Sequence, residues 1–250
     1  MTGTPAAAAL LPRVIGHRGA AATAPENTLP SIREAKRLGA GGVEFDVKLS
    51  ADGVPLLCHD DTLERTTNGR GPVAAASILE IRRLDAGLWF GPQWRHTPVP
   101  LFEDALRLVV ELDLGVNVEI KPCPGREVET AKAVVATIQR CWPRRRQKPV
   151  LSSFVPGSLL AARLAAPDLP RGLLIWEKPE DWLAQARKLA CVTIHCADQY
   201  ITPDWAAEIK AAGFGLAVYT VNDPARAGIL LGWGADAIIT DRPDVIAGAL

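Results

Sequence analysis

The feature that most limits this chain's architecture is an alternation of strand-like and helix-like segments along most of its length. Eight short runs rich in β-branched and apolar residues lie at 13–17, 43–47, 116–121, 150–154, 172–176, 191–196, 215–221 and 236–241. Most of the intervals carry helical spacing. Residues 28–38 place Leu29, Ile32, Ala35 and Leu38 on one face, with Asn27 as the candidate N-cap and Gly39 as the stop. Comparable patterns fill 126–141, 157–166, 179–190, 203–212 and 224–232. A helix between two strands returns the chain to its starting end, so the strands run parallel. Eight such units in 250 residues predict an α/β fold, the (β/α)8 TIM barrel, with an open doubly wound sheet as the main rival.

One stretch, residues 48–100, breaks the rhythm. It holds a second apolar run at 54–58, too close to the strand at 43–47 for a helix to intervene. Asp52-Gly53 is a two-residue hairpin signal, and with that pair as the turn Asp46 faces His59 across the ladder. The remainder, with Trp89, Phe90 and Trp94, is too long for a plain connection and is expected to pack over one end of the barrel. The expected organisation is one barrel domain over 1–250, with an inserted hairpin and loop excursion after strand 2 at about 48–100.

Composition removes several functions. Lys+Arg and Asp+Glu tie at 28 each, which argues against a nucleic-acid binder. The run Arg144 to Arg146 has no interleaved aromatics and reads as a solvated loop. The five cysteines form no Cys-x-x-Cys pair, so reduced thiols and a cytoplasmic setting are expected. No Lys or Arg precedes the short apolar stretch from Ala6 to Leu11, which argues against a secretory leader, and no window reaches the length of a membrane span. Gly232 to Ala237 matches G-x-G-x-x-A but lies between a helix and a following strand, the wrong context for a dinucleotide site.

Barrels carry their chemistry at the C-terminal ends of the strands. Strand 1 ends in His17-Arg18; strand 2 carries Glu44 and Asp46, two apart and so on one face; the next barrel strand carries Glu119 and Lys121. A single carboxylate there reads most simply as part of an ion-pair network. The whole set, joined by two of the four histidines, His17 and His59, reads as a site. Of the other two, His96 is expected on the surface, and His195 either lines the pocket or sits satisfied in the core. Carboxylate-only ligation suits a hard divalent cation. With such a cation, the three carboxylates, Arg18 and Lys121 leave one net positive charge, which suits a phosphodiester monoanion.

His17-Arg-Gly19, Pro25-Glu-Asn-Thr28, Glu44-Phe-Asp-Val47, Asp52-Gly53, His59-Asp60 and Arg65-Thr-Thr-Asn-Gly69 occur in order at compact spacings. Glu119-Ile-Lys-Pro122, Leu151-Ser-Ser-Phe154 and Ile239-Thr-Asp-Arg-Pro243 follow. Together they resemble the glycerophosphodiester phosphodiesterase family over about residues 13–250, with a closer likeness to its cytoplasmic bacterial members associated with glycerol-3-phosphate uptake. The resemblance implies hydrolysis of glycerophosphodiesters, such as glycerophosphocholine, to glycerol 3-phosphate and an alcohol. It implies Glu44, Asp46 and Glu119 as ligands of one divalent cation, with Mg²⁺ the first choice and Ca²⁺ or Mn²⁺ the others. It implies His17 and His59 as the acid–base pair and Arg18 and Lys121 as phosphate-binding residues. Tyr219 departs from the pattern, standing where many relatives place Trp. The implied partner is a small-molecule substrate, with no nucleic acid and no stable membrane insertion; the oligomeric state stays open. A lysophospholipase D-type lipid phosphodiesterase would want an exposed apolar opening, for which the sequence offers no clear candidate. A non-catalytic phosphodiester binder would be expected to lack a histidine or a metal carboxylate, and none is missing.

Overall fold

A computed structural model describes residues 10–250, so most of the Ala6–Leu11 stretch lies outside the described residues. Eight parallel strands close on themselves: β1 (Val14–Gly16), β2 (Gly42–Leu49), β4 (Gly115–Ile120), β5 (Val150–Ser153), β6 (Arg171–Ile175), β7 (Thr193–Ala197), β8 (Gly215–Tyr219) and β9 (Ala237–Thr240). Closure is shown by β1, which pairs in parallel with both β2 and β9. The fold is the expected TIM barrel, and the open sheet is excluded.

Strand periodicity sorts the side chains. On β2, Val43, Phe45 and Val47 face outward into the largest apolar cluster, against Ile32, Ala35, Phe102 and Val109. Glu44, Asp46 and Lys48 alternate with them and therefore point to the other face. Ile15, Val150, Ala217, Ala237 and Ile239 form a separate apolar cluster with Leu11. Polar side chains occupy the inward positions nearer the strand C-termini, which sets the chemistry at that end.

The outer helices include α1 (Leu29–Arg37), α3 (Phe102–Glu111), α4 (Glu127–Cys141) and α5 (Pro156–Ala165). Beyond them lie α6 (Trp182–Lys188), α7 (Pro203–Ala211), α8 (Pro224–Gly232) and α9 (Pro243–Ala247). Two details correct the sequence reading. The cap of α1 is Thr28, whose hydroxyl accepts from the Ser31 N–H, and not Asn27. Asn27 instead takes a left-handed φ of 55° and turns its amide toward Asp46. The helix α3 was not expected. It starts directly after the excursion and completes the second β/α unit, burying Phe102, Ala105, Leu106, Leu108 and Val109 at helical spacing.

The hairpin is real, but its register differs by one residue from the expectation. The short strand β3 (Pro55–Leu57) pairs antiparallel with β2 as Val47↔Leu57, Lys48↔Leu56 and Leu49↔Pro55. The Ser50 N–H donates to the Val54 carbonyl, so three residues make the turn, with Gly53 left-handed at φ 77°. The Asp52 carboxylate accepts from the Ile78 N–H at the start of α2 (Ile78–Ile81), a long-range contact invisible to a local turn rule. Asp46 therefore faces Cys58, whose N–H donates to its carbonyl at 3.1 Å, and His59 follows just beyond the ladder. The excursion builds its own cluster from Leu56, Cys58, Leu63, Val73, Ile81, Ala86 and Val99, joined by Cys123 after β4. It therefore walls one side of the C-terminal rim.

Candidate active site

The rim begins with a tight turn after β1. Arg18 and Gly19 both have positive φ, 50° and 93°, which aims the Arg18 N–H at Glu44 Oε2, 3.0 Å away. A Cβ on Gly19 would lie 2.3 Å from Ser31 Oγ and 2.6 Å from the Ser31 carbonyl carbon, so no side chain fits there. Gly19→Ala is expected to lower stability by roughly 2–3 kcal/mol through strain and overpacking. Urea denaturation checks this, and an unchanged midpoint would contradict it.

Glu44, Asp46 and Glu119 are all buried, and one oxygen from each lies within 4.8 Å of the others. The Asn27 amide donates to Asp46 Oδ2 at 2.8 Å and its carbonyl accepts from the Asp46 N–H, fixing that carboxylate. Arg18 Nε stands 3.3 Å from Asp46 Oδ2, and Lys121 Nζ stands 2.8 Å from Glu119 Oε1 and 3.5 Å from Asp46 Oδ1. Burial raises Glu44 well above the ordinary carboxylate range, and repulsion from Asp46 and Glu119 adds to it. Burial, then Asp46, lifts Glu119 to about 7. Burial works the same way on Asp46, but Arg18 and Lys121 outweigh it and hold that group well below its usual value. Glu44 Oε1 is buried with no hydrogen-bond partner. Three buried carboxylates against two cations, with one oxygen unpartnered, is a donor set that fits a hard divalent cation.

Each histidine is anchored through Nδ1. His17 Nδ1 lies 2.7 Å from Asp241 Oδ1, and Asp241 also accepts from the Asn222 amide at 2.9 Å. His59 Nδ1 lies 2.7 Å from Asp60 Oδ1, and Arg65 grips Asp60. An ionised carboxylate only accepts, so both rings carry hydrogen on Nδ1 and leave Nε2 for other work. His17 Nε2 stands 4.0 Å from Glu44 Oε2. Burial, with repulsion from Arg18 and Lys121, lowers the His59 pKa against the pull of Asp46 and Asp60. All seven residues expected at the site are thus brought together. Asp60, Asp241 and Asn27, which hold them, carry no site role in the sequence reading, where Asn27 is only a cap candidate. The signal available was their place beside His59, beside Thr240 and within the segment 25–28.

Two cavities meet here. A chamber of about 160 Å³ is lined by His17, Arg18, Glu44, Asn117, Trp176 and Tyr219, among others. A more open one of about 430 Å³ includes Lys48, Asp60, Asp61 and Pro122. His59, Glu119, Lys121 and Phe154 line both.

The chain matches the glycerophosphoryl diester phosphodiesterase family over residues 17–245, a span that includes every site residue above. It belongs to that family. As a member of the glycerophosphoryl diester phosphodiesterase family it is an enzyme, a phosphoric diester hydrolase. It is 34% identical over 238 residues to a glycerophosphodiester phosphodiesterase of Caldanaerobacter subterraneus subsp. tengcongensis, covering 93% of this chain and 95% of the relative. A phosphodiesterase of Oleispira antarctica, solved in complex with the product sn-glycerol-3-phosphate, superposes with a TM-score of 0.94 at 36% identity, over 97% of this chain and 98% of that one. The glycerophosphodiester phosphodiesterase of Agrobacterium tumefaciens gives 0.81 at 30%, over 95% and 100%.

Within this member of the family, Tyr219 keeps the site's aromatic wall. Its ring meets Phe154 edge-to-face at 6.0 Å and its hydroxyl donates to the Ile175 carbonyl at 3.0 Å. His195 does not reach either cavity. It is fully buried on β7, shares a hydrogen bond with Thr193 Oγ1 at 3.0 Å, and is pushed by burial down to about 4, so it is a neutral core residue. His96 is exposed in the excursion, as expected. Among the described residues no helix is long and apolar enough to cross a membrane.

Proposed function

We propose that this chain hydrolyses glycerophosphodiesters with small polar head groups, such as glycerophosphocholine and glycerophosphoethanolamine, to glycerol 3-phosphate and the free alcohol, with one divalent cation and two histidines. The observation that carries this is the buried Glu44–Asp46–Glu119 cluster, two of whose members line one chamber with two anchored histidines. With Arg18 and Lys121 the cluster is one negative charge, and one divalent cation makes it one positive charge, the complement of a phosphodiester monoanion.

Glu44, Asp46 and Glu119 would hold the cation, Mg²⁺ first among the candidates. When bound, it would supply Lewis-acid polarisation of a phosphoryl oxygen. Arg18 and Lys121 hold the phosphate from the flank, Lys121 as a point charge and Arg18 through its guanidinium edge. The two Nε2 atoms serve the proton transfers. One histidine takes the proton of the entering oxygen and the other gives one to the leaving oxygen, each ring kept in its tautomer by Asp241 or Asp60. The paired cavities accommodate the two arms of a diester. The five free cysteines, four of them buried, support a reducing, cytoplasmic setting for this reading.

The test is release of glycerol 3-phosphate from glycerophosphocholine by chelator-treated protein, with and without Mg²⁺, Mn²⁺ or Ca²⁺. Re-addition of one of these ions is expected to raise the rate at least about a hundredfold. Turnover unaffected by chelation, or none with any ion across a panel of head groups, would overturn the reading.

A further inference from the structure

The segment from Arg65 to Gly69 has no part in the chemistry above, yet Arg65 makes four of the hydrogen bonds at the rim of the site. Its Nε and Nη2 donate to Asp60 at 2.6 and 3.0 Å. Its Nη1 and Nη2 donate to Glu26 at 2.7 and 2.8 Å. Each carboxylate passes the contact inward. Asp60 Oδ1 meets His59 Nδ1 at 2.7 Å, and Glu26 Oε1 accepts from Arg18 Nη1 at 2.7 Å.

We infer that Arg65 is a positioning residue that sets His59 and Arg18 together, through Asp60 on one side and Glu26 on the other. The inference rests on the proposed function, since it matters only if His59 and Arg18 face the substrate phosphate. Its geometry requires a guanidinium. One edge of the planar fork takes Asp60 and the other takes Glu26, and a lysine ammonium has no pair of fixed edges to offer. The contact also crosses the fold: Asp60 and Arg65 belong to the excursion, Glu26 and Arg18 to the β1–α1 connection. One side chain thereby fixes the register of two separately folded loops around the phosphodiester.

A plain tether between the loops is the competing explanation, and it makes different predictions. The Arg65 side chain is 44% exposed, so solvent screening reduces what its ion pairs contribute to stability even with both pairs bidentate. Its two immediate partners are more enclosed, Glu26 at 10% and Asp60 at 28%, so their orientation depends on the pairing. Activity and stability should therefore separate.

The experiment compares Arg65→Ala and Arg65→Lys with the parent protein on glycerophosphocholine at saturating metal, with Glu26→Gln as a second, shape-preserving variant. Arg65→Ala is expected to lower kcat/KM on the order of a hundredfold, through both a lower kcat from His59 and a higher KM from Arg18. Arg65→Lys is expected to recover only part of this, and Glu26→Gln to raise KM with a smaller effect on kcat. Added guanidinium ion should restore Arg65→Ala by about tenfold and leave the parent unaffected. Independently of activity, the imidazole ¹⁵N spectrum of His59 should lose its single Nδ1–H tautomer signature in Arg65→Ala. Kinetic constants of folded Arg65→Ala within about threefold of the parent would overturn the inference. So would a loss that guanidinium does not relieve together with an unchanged His59 spectrum. His59→Ala and Arg18→Ala run alongside keep the two claims apart. If both remain active, the reading of the site fails; if both are impaired while Arg65→Ala is not, the positioning role alone fails.

Discussion

Alanine at His17 or at His59 is expected to lower kcat on the order of a thousandfold while leaving the protein folded. Each ring gives Nδ1 to a carboxylate, so its orientation is fixed before substrate arrives and its Nε2 is the free atom. Both rings line the chamber that holds Glu44 and Glu119, and neither is buried deeply enough to be a packing residue, with side-chain exposures of 19% and 29%. Stability loss should therefore be slight and the rate loss large, mainly in kcat. The partners give a graded version of the same result. Asp241→Asn preserves shape but lets an amide replace the carboxylate that selects the Nδ1–H tautomer, and a loss of roughly 10–100-fold is expected. Steady-state kinetics with circular dichroism checks all three variants. Retention of turnover within about tenfold of the parent by either alanine variant would remove that histidine from the chemistry.

Much of this site was legible because strands write their faces into the sequence. Glu44 and Asp46 two apart, between Val43, Phe45 and Val47, give one charged face and one apolar face, and the structure keeps both. Glu119 alternates in the same way with Val118 and Ile120. What could not be read is held by contacts without period. Asp241 reaches His17 across 224 residues of sequence, and Arg65 reaches Glu26 across 39. Asn27 looked like a cap because its type favours caps, but the neighbouring Thr28 fills that role and frees the amide for Asp46. The hairpin register stands one residue from the turn-rule expectation, in a turn whose Asp52 carboxylate also accepts from the Ile78 N–H, a contact no turn rule includes. That slip put Cys58 rather than His59 opposite Asp46, yet His59 still meets the site because the chain leaves the ladder at that point.

The two raised carboxyls should cost the metal-free protein stability as pH rises from about 4.5 to about 7, against the opposite contributions of His195 and His59, and a divalent cation should cancel that cost. Burial, then Asp46, lifts the Glu119 carboxyl from 4.5 to about 7, and Glu44 is raised by burial, Asp46 and Glu119. In that window these two carboxyls keep protons in the folded chain that they release in the unfolded one, so their contribution to stability falls with each increment of pH, while His195 and His59, lowered by burial, contribute in the opposite sense. Glu119 alone accounts for about 3 kcal/mol across the window. Asp46, held low despite burial by Arg18 and Lys121, works in the opposite sense but only as pH falls through the ordinary carboxylate range and below. A bound cation replaces the protons as the charge that satisfies the cluster, and its binding should become tighter as pH rises. Glu119→Gln separates the two effects. Without metal, it should gain stability relative to the parent between pH 5 and pH 7, the histidine contributions being common to both; with metal, its stabilisation should be weakened and its turnover reduced by about a thousandfold or more. Urea denaturation at both pH values, with chelator and with Mg²⁺, reads each arm. A metal-free parent whose stability tracks that of Glu119→Gln across this window would show that Glu119 is ionised without strain, and the cluster would then have no need of a cation.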